Sequence, residues 1–248
     1  MKSPVAAFVA GALALALSAC TTMPSYQAAI SDPARPQDDT KRDTDRRPAD
    51  MLAFAEVQAG DKVVDLIPGG GYFTRIFARA VGPAGTVYAY QPSELDSLYK
   101  RPIPILAVAA EPAYTNLKLL HQPIGHFVLP EPADLVWTSQ NYHDMFLKFF
   151  GPVDVAKLNQ EIYAALKPGG LYIVLDHAAE NGSGLRDAEK LHRIGQEKVR
   201  ADLEAAGFVF VAESNVLRNP SDLRTANVFD PGIRGHTDQF ILKFRRPR

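Results

Sequence analysis

Two groups of residues in this chain could carry chemistry. The first is Asp65 with the turn that follows it, Leu66-Ile67-Pro68-Gly69-Gly70-Gly71. A carboxylate at the end of an apolar run can accept hydrogen bonds from a ligand, and Gly69, Gly70 and Gly71 let backbone approach that ligand closely. Tyr72 opens a helical pattern directly afterwards, and the free N–H groups of a helix start suit polar or anionic atoms. The second group is Asn141-Tyr142-His143-Asp144 together with Asp176-His177. The ordinary pKa of His143 lies near working pH, so it is a candidate general base, with Asp144 to orient it. A histidine that merely satisfies a loop carbonyl is an equally good account. Asp176 and His177, with His143, could form a polar floor or a metal site of two histidines and one aspartate. Metal ligation needs convergence that a sequence does not display, so no metal is assigned.

These residues need elements to position them. Val63-Val64-Asp65 ends a buried strand at about 62–67, and the helix after the glycines closes near Val81-Gly82-Pro83. Pro48 begins an earlier helix that presents Met51, Leu52, Phe54, Ala55 and Val57. Strands follow at 86–90, 116–121, 134–138 and 171–176, with one short helix in the proline-bearing stretch 101–115 and another carrying Leu158 and Ile162. Leu191, Ile194, Val199 and Leu203 fit one face of a single long helix at about 186–206. The last two strands, 208–211 and 239–244, have no helix between them and read as an antiparallel pair. Strands alternating with helices predict an α/β chain with a mostly parallel sheet. The second chemical group then falls at the carboxyl ends of the fourth and fifth strands, where open α/β sheets bind ligands.

The chain has 248 residues, 46% hydrophobic and 22% charged, enough for one large core. A net charge of −1 implies no general basic surface for nucleic acid. Lys2 precedes an apolar run from Val5 to Ala19, a secretory signal pattern too short for a typical membrane span. It ends in Leu17-Ser18-Ala19-Cys20, which resembles the bacterial lipobox, and Cys20 is the only cysteine. That resemblance implies cleavage, lipidation at Cys20 and a membrane anchor. Thr21 in the next position implies the outer membrane, facing the periplasm. Residues 1–19 are thus expected to be a signal peptide and 20–47, rich in charge and proline, a flexible tether. Residues 48–248 form the domain.

The order of motifs resembles the class I S-adenosylmethionine-dependent methyltransferases. The likeness covers about residues 48–248. It rests on the Asp65–Gly71 turn, on the fourth strand followed by the Asn141–Asp144 segment, and on Leu166-Lys167-Pro168-Gly169-Gly170 before a strand. It implies a Rossmann-like fold, a seven-stranded mostly parallel sheet with an antiparallel last strand and helices on both faces. The cofactor implied is S-adenosylmethionine, with contacts at Asp65, Gly69, Gly70, Gly71, Tyr72, Gln91 and Asn141. Catalytic positions fall at His143, Asp144, Asp176 and His177. Two departures stand out. Ile67 occupies the family's first glycine position, and Gln91 stands where the family places a ribose-binding acid. A nicotinamide-binding Rossmann domain fits less well, because its third glycine would fall at Thr74.

Methyl transfer from a sulfonium is an in-line displacement that depends on positioning, and it needs a base only if the acceptor must lose a proton. The resemblance therefore implies methyl transfer to a small-molecule acceptor. The signal sends the chain out of the compartment where the donor is made. Two alternatives stay open: a non-catalytic periplasmic binding module that keeps the fold, and a metal-dependent hydrolase.

Overall fold

A computed structural model describes residues 26–98 and 102–248. Cys20 and the expected signal peptide lie outside the described residues. Seven strands form one sheet: β1 (Lys62–Leu66), β2 (Thr86–Pro92), β3 (Leu117–Gln122), β4 (Ala133–Ser139), β5 (Leu166–His177), β6 (Val209–Ser214) and β7 (Gln239–Arg245). Their order is β3-β2-β1-β4-β5-β7-β6. The first five are parallel, and β7 runs antiparallel to both β5 and β6. This is the fold expected from the sequence.

The alternation of side chains along a strand divides the core in two. Val64, Val136, Tyr172, Val174, Phe240 and Leu242 belong to the cluster on one face, and Val63, Leu135, Trp137, Ile173 and Ile241 to the cluster on the other. Both faces are apolar because both are covered by helices. On the second face, α5 (Tyr72–Val81) sets Phe73 and Phe77 edge-on to Trp137, at 4.7 and 5.6 Å between ring centroids. Gly71 starts this helix at φ +79°, and a Cβ there would stand 3.0 Å from Val108 of α6 (Pro104–Ala109). α7 (Val155–Ala165) begins at Asp154, whose side chain accepts from the Lys157 N–H.

Two expectations are corrected. Residues 26–47 are not a flexible tether but a strap docked on the domain through α1 (Gln27–Ile30), α2 (Gln37–Thr40) and α3 (Asp43–Arg46), ahead of α4 (Pro48–Phe54). Charged contacts hold it alongside Tyr26 and Ala29, which join the apolar cluster of the second face. Asp32 is buried and accepts from Arg79 Nε at 2.6 Å and from the Tyr114 hydroxyl at 3.2 Å. Arg35 pairs with Asp43, and Arg75 of α5 pairs with Asp39. Tyr26 adds a buried ring whose hydroxyl donates to the Val57 carbonyl.

The single long helix at 186–206 is likewise two pieces, α8 (Ala188–Leu191) and α9 (Gln196–Ala205). The break falls at His192, in the left-handed region at φ +54°. It is held open by the Ala178–Ile194 bridge and by buried Arg193, which pairs with Asp222 at 2.8 Å and donates to the Ala178 carbonyl.

Candidate functional site

Two adjoining cavities, of about 400 and 420 Å³, open at the carboxyl ends of β1, β4 and β5. They share Arg42, Arg46, Gln140, His177, Val228 and Phe229 in their walls. The smaller runs from the glycine turn to the histidines and brings together Asp65, Gly69, Gly70, Tyr72, Asn141, His143, Asp144 and His177. Asp176 is fully buried directly behind them.

At the glycine end, a Cβ on Gly69 or Gly70 would meet nothing within 4 Å, so their backbone faces open space. Asp65 lies beneath and accepts from the Thr74 hydroxyl at 2.6 Å, tying β1 to the first turn of α5. Burial pushes its pKa up to about 6, against the pull of Thr74 and of Arg46. Asn141 donates to the carbonyls of Ile67 and Ser139, at 3.0 and 2.7 Å, and so ties the β1 and β4 loops together. Ile67 sits in the left-handed region at φ +61° with its side chain in the core, an unusual conformation for a β-branched residue. Position 67 therefore keeps a glycine-like backbone while carrying a side chain.

The strap supplies the roof. Arg46 stacks over Tyr72 and Phe73, at 4.4 and 4.8 Å to the ring centroids, and donates to Ser139 Oγ at 3.1 Å. Among the described residues it has no carboxylate within ion-pair distance. Burial, reinforced by the charge of Arg42, lowers its pKa to about 10, so it stays a cation at neutral pH. The Tyr72 hydroxyl is spent on Asp43 at 2.6 Å.

At the other end, His143 opens a short 3-10 turn, His143–Phe146, separated from β4 by Gln140, Asn141 and Tyr142. Its backbone N–H donates to Asp176 Oδ2 at 2.8 Å, its Nδ1 lies 2.7 Å from Asp176 Oδ1, and its Nε2 lies 3.1 Å from Asp144 Oδ1. Burial alone would lower its pKa. The charges of Asp176 and Asp144 outweigh burial and raise it to about 10. Both ring nitrogens face carboxylates, which favours the charged ring as long as no other cation takes Nε2. Burial would raise Asp144, but the contacts with His143 and His192 win and hold it below the usual carboxylate range. His177 is the opposite case. Burial lowers it to about 4, and its Nδ1 lies 2.7 Å from Thr237 Oγ1, so it is neutral.

Gln91 does not reach either cavity. It is buried at the end of β2, its Nε2 donates to the Pro92 carbonyl at 3.3 Å, and its Oε1 has no partner. Glu94, a turn further on, accepts from the Ile124 N–H. The residue that sequence reasoning missed is His192. The break between α8 and α9 brings its Nδ1 to 3.6 Å from Asp144 Oδ1, with its ring edge-on to Phe229 and to His143. Its only sequence signal was a histidine inside an apparently continuous helical pattern.

The chain resembles solved structures across most of its length. A SAM-dependent methyltransferase from Aquifex aeolicus is 16% identical, with 80% of this chain and 88% of that one covered at a TM-score of 0.56. For a SAM-dependent methyltransferase from Mesorhizobium loti the values are 18%, 79%, 96% and 0.53. For the cyclase SpnF they are 19%, 82%, 80% and 0.59. No protein-family model matches the chain, and no curated protein is similar to it in sequence. The likenesses establish a Rossmann-like methyltransferase fold. They include a protein named for a cyclase, so the fold alone does not define the reaction.

Proposed function

We propose that this chain is an S-adenosylmethionine-dependent methyltransferase acting on a small-molecule acceptor, exported and anchored through a lipid on Cys20. The observation that carries the catalytic reading is one cavity reaching from the Gly69–Gly70 turn to the histidines at the ends of β4 and β5. A donor and an acceptor could meet there in line. The side chains suit the amino-acid end of the donor. Arg46 is a cation with no carboxylate partner among the described residues, it lines the same cavity as the glycine turn, and it would take the donor's carboxylate. Gly69 and Gly70 leave room for the chain beyond it. When bound, the donor supplies an electrophilic methyl group on a sulfonium. Phe229, Phe149 and the strap help exclude water, and His143 and His177 orient the acceptor.

A second reading, a binding module that keeps the fold without turnover, is favoured by the ribose end. Gln91 stands outside the cavity there, and Ile67 carries a side chain where the family has none.

Calorimetric titration of the full chain in detergent with S-adenosylmethionine and its demethylated product separates these readings. Micromolar binding, about −8 kcal/mol, together with methylation of an acceptor supports the enzyme. Binding of the donor without turnover on any acceptor supports the module, and absence of binding by folded protein removes the donor from both. The anchor has its own test. Labelled fatty acid should enter the wild-type chain and be absent from Cys20→Ser, which should leave the membrane fraction. Among the described residues no helix is long and apolar enough to cross a membrane.

A further inference from the structure

We propose that His143, Asp144 and His192 bind a single divalent transition-metal ion at the floor of the cavity. Three ligand-bearing atoms converge there. His143 Nε2 lies 3.1 Å and His192 Nδ1 lies 3.6 Å from Asp144 Oδ1, and all three atoms lie within 4.8 Å of one another. Nitrogen and oxygen ligands about 2.0–2.2 Å from a common tetrahedral ion stand roughly 3.3–3.6 Å apart. An ion pair between Asp144 and His143 would explain one of these contacts. It gives no reason for a second histidine, from a distant part of the chain, to aim a ring nitrogen at the same oxygen.

The surroundings hold the set in a ligating arrangement. Asp176 occupies Nδ1 of His143 and anchors its backbone N–H as well, which leaves Nε2 as the ligand atom. A carboxylate behind a histidine in this way fixes the ring and strengthens it as a ligand. His192 is set by the left-handed end of α8 and by the edge-on faces of Phe229 and His143, at 4.9 and 5.5 Å. A left-handed conformation is strained for a non-glycine residue, and such strain gathers at functional positions. All three residues line the cavity, so coordination positions not filled by protein would face it. Three protein ligands with an open side is the pattern of a reactive site rather than a closed structural one.

Two imidazoles and one carboxylate suit zinc, cobalt, nickel or ferrous iron better than magnesium or calcium. An ion here would sit across the cavity from the glycine turn. On the methyl-transfer reading it would contact the acceptor and lower the pKa of a bound O–H or S–H group. That consequence rests on the methyl-transfer reading, whereas metal binding does not.

The test uses full-length protein without a polyhistidine tag, stripped by chelator and titrated with zinc and with cobalt(II). One equivalent per folded chain is expected, with visible cobalt absorption from nitrogen and oxygen ligands. His192→Ala and Asp144→Asn should each lose the stoichiometric ion and the absorption while circular dichroism stays unchanged. His121→Ala, on an exposed pair with Asp96 outside the cavity, should keep both. A folded wild-type chain without a stoichiometric ion overturns the proposal. So does full stoichiometry in both ligand variants, or loss of the ion in His121→Ala. Donor binding is measured separately on stripped and loaded protein, so failure of the metal site and failure of the methyltransferase reading are read independently.

Discussion

Asp176 holds His143 with both of its oxygens. One accepts the backbone N–H at 2.8 Å, and the other faces ring Nδ1 at 2.7 Å. Asp176 lies at the carboxyl end of β5 and His143 in the turn after neighbouring β4, so this single carboxylate sets where the chain leaves β4 and how the imidazole is turned.

Removing that carboxylate leaves a buried cation with half its compensation. Asp176→Ala should cost about 3–5 kcal/mol in denaturant unfolding. Asp176→Asn, which keeps the shape and an acceptor for the backbone N–H, should cost less. Equal losses for the two variants would show that shape and not charge holds His143.

Asp65 predicts a pH signature. Its folded pKa is raised from 3.8 to about 6 by burial, so between these values the folded chain keeps a proton that the unfolded chain releases. Its contribution to stability is therefore complete below pH 4, falls as pH rises through 6, and stays lower above. Asp65→Asn removes that slope. Its stability relative to wild type should be up to about 3 kcal/mol better at pH 8 than at pH 4, as read by denaturation at both pH values. A difference that does not change with pH would mean that Asp65 is ionised throughout.

Ile67 combines buried packing with a left-handed backbone. Ile67→Ala loses the packing and keeps the strain, at a cost of about 2–5 kcal/mol. Ile67→Gly loses the same packing and sheds the strain. The glycine variant should be the more stable of the two by about 1 kcal/mol, the reverse of their order where φ is negative. Thermal unfolding of both variants gives the comparison.

Arg46 should matter more to ligand binding than to folding. Losing a charge-assisted hydrogen bond to the donor's carboxylate costs about 1.5–3 kcal/mol, so Arg46→Ala should weaken donor binding at least about tenfold by calorimetry. Arg46→Lys keeps the charge but gives up the stacking on Tyr72 and Phe73, and should fall between them. Unchanged affinity in Arg46→Ala would take the strap out of the binding site.

The parts of this molecule that were legible in sequence follow local rules. Val63, Val64 and the glycines after Asp65 announce a strand, a turn and a helix. His143, Asp144, Asp176 and His177 come together because each lies at or just beyond the carboxyl end of a parallel strand. What was hidden depends on partners far along the chain. His192 reaches the site because Arg193 beside it is drawn to Asp222 and Ile194 bridges to Ala178, which breaks a run whose own periodicity is helical. The strap has almost no apolar pattern to betray it. It docks through Asp32 and Asp39, and a charged stretch looks the same whether its partner is water or Arg79. Gln91 was placed correctly at a strand end, but burial there turns its side chain away from the cavity.

The docked strap shortens the leash. If Cys20 carries a lipid, about six residues separate it from Tyr26, a span of roughly 20 Å at full extension. A free segment of the whole stretch 20–47 would reach several times further. The domain would then be held close to the headgroup layer from the Tyr26–Val57 contact near the amino end of β1, with the cavity at the other end of the strands, instead of sampling the open volume beyond it.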